Sequence, residues 1–377
     1  MPRDINARLE NLRVRRKGID AVNNGRVTAS FAEDVLRKSI IQEPWQRRAT
    51  SHPYTRYALG AMQAVDSAYT QKSRDEAERV AKQLRDGLSV SIETRLQGSV
   101  PLDVHIRGVS DVDLLVLRTG FHTYVTYGAR ALAGYYTSPT SETSLSALAS
   151  LRCESEDLLK RRYWGATVDC SGGKCIALSG GSFERPVDVV PSHWNDTVAY
   201  QSSLAEHDRG VTILNKTVPE TIDNLPFTHI NRVHDRDTAY YGSLKKAIRL
   251  VKNVKNDATN EDSAAMLPSF DIAALMYHAD ETPLKAGYIN ELYILREAQR
   301  FLDWCYRNKD EASKLMTPDG SRAILNNERK RTGLLTISTE LDDLAQQVAR
   351  EQGLYSSSPN WDDIYATLGN ARVPAAA

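Results

Sequence analysis

The sequence predicts a two-lobed α+β protein in which a small mixed sheet lies between helical segments. Three observations carry this. The chain up to about residue 90 is helical in texture, with apolar residues three and four apart. From Glu93 to Val190 the texture changes to short β-prone apolar runs broken by Gly, Ser and Pro. From about Tyr240 helical periodicity returns. This order divides the chain into residues 1–215, N-terminal helices plus a sheet-bearing lobe, and 216–377, a helical lobe ending in a flexible tail.

The composition fits a folded protein, with 41% hydrophobic and 25% charged residues among 377. Lys+Arg is 48 and Asp+Glu is 48, so there is none of the basic excess of a protein that tracks long nucleic acid, and small substrates are expected. No window approaches the roughly 20 apolar residues of a membrane span. The N-terminus, Met1-Pro2-Arg3-Asp4, leads into a charged segment and not into a signal core. Four scattered cysteines suit a reducing compartment. A cytoplasmic location with no membrane partner is therefore expected.

Taken in order, the elements read as follows. Breaks are expected near Asn23-Asn24-Gly25 and Ser51-His52-Pro53. Ala77, Val80, Ala81, Leu84 and Leu88 mark a helix ending at Gly87, and Ser73 with Glu76 is either its capping box or the interior of one long helix from near Tyr54. Glu93 to Gln97 reads as a short strand running into Gly98-Ser99, and Val112 to Leu117 as an apolar strand. Leu145, Leu148, Leu151, Leu158 and Leu159 mark a helix in one or two pieces. Ala166–Cys170 and Cys175–Leu178 flank a Ser-Gly-Gly-Lys turn and read as a hairpin. Val187–Val190 reads as a strand stopped by Pro191. Leu244, Ala247, Ile248 and Val251 form one helical face; Leu292, Leu295, Ala298, Phe301 and Leu302 form another. Gly369 to Ala377 has little to pack.

The chemistry concentrates in three carboxylates. Residues i and i+2 of a strand share a face, so Asp111 and Asp113 stand side by side at the start of an apolar strand. Two such charges repel unless a cation neutralises them, and hard oxygen ligands suit Mg²⁺. Asp188 sits inside the apolar run Val187–Val190, where a charge is costly unless it faces a metal or a polar cleft. Gly98-Ser99 supplies a close backbone approach and donors for phosphate oxygens. The set suits phosphoryl transfer with two metal ions that clamp attacking and leaving oxygens.

Gly98-Ser99, Ser110-Asp111-Val112-Asp113-Leu114-Leu115-Val116 and Arg185-Pro186-Val187-Asp188-Val189-Val190-Pro191 together resemble the polymerase-β-like nucleotidyltransferase superfamily, and within it the bacterial cGAS/DncV-like nucleotidyltransferases. The resemblance spans roughly Tyr54 to Lys330. It departs in the Gly-Ser loop, where this chain has Asp103 and His105 in place of small residues or threonine. It implies a Mg²⁺-dependent enzyme, with two ions on Asp111, Asp113 and Asp188 and Mn²⁺ as a substitute. The substrates implied are nucleoside triphosphates, the product a cyclic di- or oligonucleotide second messenger, and the setting anti-phage signalling with a companion effector. A conjugation enzyme acting on the tail Arg372 to Ala377 is implied by analogy. The same core also serves RNA-tailing polymerases, antibiotic-modifying transferases and, if inactive, nucleotide-binding scaffolds.

Lys245, Arg249 and Lys252 form a basic stripe whose ordinary reading is a solvated helix flank. The resemblance instead gives Lys252, and Ser269 at the opening of a later helix, to the triphosphate. Ser269 also reads as a helix cap, and Phe270 either stacks on a base or belongs to the core. Tyr124, Tyr127, Tyr135 and Tyr136 either edge an acceptor pocket or pack. Cys170 and Cys175 read as structural thiols, and His229 and His234 as a polar connection without chemistry.

Overall fold

The structure, a computed structural model, describes residues 4–17, 42–108 and 110–373. The break expected at Asn23-Asn24-Gly25 and the last four residues of the tail lie outside them.

Alternation along apolar runs builds the sheet. Its strands are β1 (Ile92–Gln97), β2 (Val112–Tyr124), β3 (Thr167–Asp169), β4 (Ile176–Ser179), β5 (Val187–Asp196), β6 (Gly210–Asn215) and β7 (Glu220–Asn224). β2 and β5 are the parallel centre, and β1 adds antiparallel to the outer edge of β2. The other edge of β5 is shared, its first residues pairing with β4 and its last with β6; β3 and β7 complete the two flanks. The two faces of β2 bury different sets. Val112, Leu114 and Val116 pack with Val187, Val189, Ile176 and Leu178 under Ala77, Val80, Leu84, Leu158 and Leu159 of the helices Ser67–Gly87 and Ser144–Arg162. Leu115 and Leu117 point the other way, against Val190, Trp194, Val211 and Ile213.

Several local expectations change. β5 does not stop at Pro191. The proline falls between the β4 pairing, which ends at Val189, and the β6 pairing, which begins at Ser192, so that edge requires no N–H from it. Ser73 and Glu76 are neither a capping box nor part of a helix from Tyr54. One helix runs Pro53–Met62, and the next starts at Ser67, where the Asp66 carboxylate accepts from the Ala68 N–H at 2.7 Å. The leucine-marked helix is a single piece, Ser144–Arg162. The tail begins later than expected: Gly369 and Asn370 end the helix Trp361–Asn370, and Ala371 and Val373 rest against apolar side chains.

The helical lobe has its own core. Leu244, Ile248 and Val251 from Ser243–Asn256 meet Leu295 and Leu302 from Leu292–Arg307 and Leu341 and Leu344 from Glu328–Glu351. Ile5, Leu12, Trp45, Tyr57 and Met62 join this same core, so the N-terminal helices pack with the C-terminal ones and not under the sheet. Buried polar contacts follow the same pairing. Arg15 holds Asp257 at 2.8 Å, the Tyr57 hydroxyl donates to Asp257 at 2.7 Å, and Arg8 pairs with Glu340. Leu102 and Val104, from the connection between β1 and β2, also insert here.

Candidate active site

The register of the central strands places the acidic residues. In the parallel β2–β5 pair Asp113 lies directly beside Asp188, and in the antiparallel β1–β2 pair it lies beside Gln97, which leads into Gly98. Asp111 is two residues earlier, just ahead of β2, and lines the same cavity as Asp113. The face of β2 that bears Asp113 continues into Leu115 and Leu117, so the carboxylate occupies the uncovered end of a face that is apolar further along.

Their electrostatics show groups held together against repulsion. Asp113 is raised to about 7, first by burial and then by the charges of Asp188 and Asp111, with Lys252 opposing. Asp111 is raised by burial and by Asp188. Asp188 is raised by burial, against a hydrogen bond from the Cys175 thiol that favours its charged form. The thiol itself is pushed up to about 11, first by burial and then by Asp188, so it stays protonated and donates. Cys170 and Cys175 are both free thiols, and the position of Cys175 beside Asp188 was not foreseen in the sequence.

A cavity of about 710 Å³ opens over this face. Gly98, Ser99, Ser110, Asp111, Asp113, Lys252, Ser269 and Phe270 all line it. Asp188 does not; it stands in register beside Asp113 on β5. Tyr124, Tyr127, Tyr135 and Tyr136 are also absent from the walls. Tyr124 and Tyr136 stack on each other with centroids 4.0 Å apart, and Tyr136 donates to Asp196, so those two rings serve packing, whereas Tyr127 and Tyr135 are exposed.

Gly98 is needed twice over. Its φ is +76°, which side chains rarely adopt, and a Cβ there would fall 2.2 Å from Asp113 Oδ2. The chain then turns through Asp103, itself at φ +57°, and the helix Ser243–Asn256 holds that turn. Arg249 donates to the Met62 carbonyl at 2.8 Å and to the Asp103 carbonyl at 2.6 Å. Lys252 donates from Nζ to the Val104 carbonyl at 2.6 Å. The basic stripe is therefore no solvated flank: Arg249 and Lys252 are buried. Burial, with the charges of Lys255 and Arg249 nearby, lowers the Lys252 ammonium to about 8.

Ser269 is the first residue of the helix Ser269–Met276 and does not cap it; Pro268 holds the cap position. Its hydroxyl is exposed to the cavity. Phe270 is no core residue either, being 41% exposed, and its ring stacks on His229 with centroids 4.4 Å apart. His229, read as chemically silent, is thus a buried wall of the cavity. Asp223, Asn256, Asp319 and Arg322 are polar residues that also line it and were also missed. Thr317-Pro-Asp-Gly-Ser-Arg322 looks like any surface turn, and only its Asp-Gly-Ser-Arg string could have marked it.

The carboxylates fit a divalent cation by charge: a cluster of acidic groups raised by one another is what a cation would relieve. Among the described residues no three His, Cys, Asp or Glu side chains are already closed to metal-ligand spacing. The residues are gathered on one side of the sheet without being drawn together.

Comparison with known proteins finds relatives along most of the chain. A family model described as the cGAS/DncV-like nucleotidyltransferase C-terminal helical domain matches residues 231–344. The cyclic dinucleotide synthase CdnE of Yersinia aleksiciae is 39% identical over 359 residues, covering 92% of this chain and 93% of that protein. A c-di-GMP synthase of Capnocytophaga granulosa is 30% identical over 312 residues, covering 76% and 85%. The solved structure of the STING-associated CdnE c-di-GMP synthase from Capnocytophaga granulosa covers 92% of this chain and 99% of its own, with a TM-score of 0.71 and 26% identity. With the likeness to the Yersinia protein sustained along nearly the full length of both, the chain belongs to the cGAS/DncV-like nucleotidyltransferase family.

Proposed function

We propose that this protein joins two nucleoside triphosphates into a cyclic dinucleotide and releases pyrophosphate. The observation that carries the proposal is the register of β2 against β5, which sets Asp113 beside Asp188, at a cavity that Asp111 also lines with Gly98, Ser99 and Lys252. The names of the relatives support a cyclic dinucleotide as the product class.

Asp111, Asp113 and Asp188 would hold two Mg²⁺ ions, with Mn²⁺ as a substitute. Such ions, when bound, lower the pKa of an attacking ribose hydroxyl and offset charge on the leaving pyrophosphate. The protein's own groups do the rest. The Gly98 and Ser99 backbone can approach the phosphates closely because no side chain intervenes at 98. Lys252 brings a buried ammonium, strong because little water screens it. Ser269 offers an exposed hydroxyl, and the outer face of Phe270 offers a stacking surface. On this reading Asp188 also accepts the proton of the attacking hydroxyl, with activation by the metal the larger effect. A second attack in the same cavity closes the ring.

The proposal extends to signalling through a companion effector in anti-phage defence, which the description of the Capnocytophaga structure as STING-associated supports. It also includes a cytoplasmic location; among the described residues no helix is long and apolar enough to cross a membrane.

The test is incubation with all four ribonucleoside triphosphates and Mg²⁺, phosphatase treatment, and mass spectrometry of the resistant material. A phosphatase-resistant dinucleotide that disappears with Asp111→Asn or with a chelator is expected. A ladder of linear products would instead indicate a tailing activity, and no pyrophosphate release from any mixture would indicate a scaffold.

A further inference from the structure

The first turns of the helix Ser67–Gly87 grip both of the loops that deliver the acidic residues, and one side chain, Tyr69, touches both loops. On the Asp111 side, the Tyr69 hydroxyl accepts from the Gly108 N–H at 2.8 Å, and the Arg107 guanidinium lies 4.5 Å from the centre of the ring. On the Asp188 side, the Arg185 guanidinium lies 3.5 Å from the same ring centre. Gly108 stands three residues before Asp111, and Arg185 three before Asp188. Tyr69, Arg107 and Arg185 are all buried.

Neighbouring residues of the helix strengthen each grip. Thr70 Oγ1 and His105 Nε2 share a hydrogen bond at 3.1 Å. Glu76 accepts the Glu184 N–H at 3.0 Å, and Lys72 pairs with Glu184 at 3.2 Å. The sheet alone does not do this work. The β2–β5 ladder begins with Val112 beside Val187, which fixes Asp113 against Asp188 but leaves Asp111 ahead of it, placed by its loop. Tyr69 does not line the cavity, so whatever it contributes to the site passes through the two loops. Burying two guanidiniums is costly, and the negative face of an aromatic ring offsets part of that cost, which a side chain chosen only to fill space would not.

Resting on the nucleotidyltransferase reading above, we propose that Tyr69 is a positioning residue for divalent cations: by holding both loops on one ring it limits how far Asp111 can stray from Asp188 before any ion arrives. Ligands already confined in this way lose less conformational freedom when an ion binds, so the ion binds more tightly.

The experiment titrates the full chain with Mn²⁺ alone and reads the free ion by electron paramagnetic resonance, the site being the one lost in Asp111→Asn. Tyr69→Leu is expected to weaken that site about tenfold, the scale seen when a group that orients metal ligands is removed. Tyr69→Phe keeps the ring and both arginines and loses only the acceptor for Gly108, so its affinity is expected to fall between the two. Arg185→Gln, which frees the Asp188 side alone, is expected to weaken the site as well. A thermal melt of each variant separates this from a merely structural role, which would lower the melting temperature and leave the Mn²⁺ affinity of the folded protein unchanged. Unchanged affinity in both Tyr69→Phe and Arg185→Gln, or in a folded Tyr69→Leu, would overturn the inference and leave the nucleotidyltransferase reading standing. Absence of such a site in the unaltered protein would also overturn it, and pyrophosphate release in the same preparation would show that the nucleotidyltransferase reading survives.

Discussion

At position 98 two constraints coincide, and each alone calls for glycine. The left-handed backbone disfavours a side chain by about 1–2 kcal/mol. The nearness of Asp113 Oδ2, 2.2 Å from where a Cβ would sit, makes even a methyl group displace a carboxylate the proposed chemistry needs. Gly98→Ala is therefore expected to lower product formation about 100-fold, the scale of loss for a misplaced reacting group, while the protein still folds. The check is pyrophosphate release beside a thermal melt; near-normal release would mean that Asp113 tolerates the shift. At this scale the acidic residues were legible because charge in apolar strands is costly, so Asp113 and Asp188 stand out in Val-Asp-Leu-Leu and Val-Asp-Val-Val. Asp319 and Arg322 were not, because the segment holding them differs from a solvated turn only in what it faces. His229 was missed for the same reason.

Among the elements, the helix Ser243–Asn256 links the two lobes. Its apolar face was readable from Leu244, Ala247, Ile248 and Val251. Its basic face was not, since periodicity shows which residues share a side but not whether a neighbour covers it. The cover is the turn after Gly98, with Leu102 and Val104 inserted among the helices and its carbonyls satisfied by Arg249 and Lys252. Arg249→Met keeps the bulk and removes the donors to Met62 and Asp103. A loss of about 2–4 kcal/mol is expected, since hydrogen bonds to charged groups contribute about 1.5–3 kcal/mol each and the acceptors are left buried. Urea unfolding measures it, and an unchanged midpoint would mean the turn is secured by its apolar contacts alone.

For the whole molecule, burial keeps two histidines neutral. His105 and His229 are each held down at about 4, burial being the largest cause in both, and each has an Nδ1 without a hydrogen-bond partner. The unfolded chain takes up protons at these side chains below about pH 6.5, while the folded protein resists until about pH 4. The unfolded state therefore binds more protons in that window, and their contribution to stability is lost as pH falls through it. Asp113, raised to about 7, acts in the opposite sense, gaining stability as pH falls, so the histidines are read from a difference. Between pH 7 and 5, His105→Gln together with His229→Gln is expected to remove about 2 kcal/mol of acid sensitivity per histidine relative to the unaltered protein. Parallel stability curves for the two proteins across that range would show that these side chains take up protons without unfolding. The two-lobed α+β architecture was legible at this scale from texture alone. The attachment of the first helices to the far lobe was not, because Ile5, Leu12 and Tyr57 show an apolar stripe without naming what lies against it.

That attachment bears on how the protein comes into being. The sheet and its two covering helices form one uninterrupted stretch from Ser67 to Asn224, so they can be complete on the ribosome while later residues are still being added. The helical core draws from both sides of that stretch and closes only when the segment carrying Leu341 and Leu344 has emerged. Until then the nascent chain has its acidic strands but lacks Lys252, Ser269 and Phe270 packed opposite them. Synthesis thus delivers the acidic strands first and withholds the closed cavity until Leu341 and Leu344 have been added.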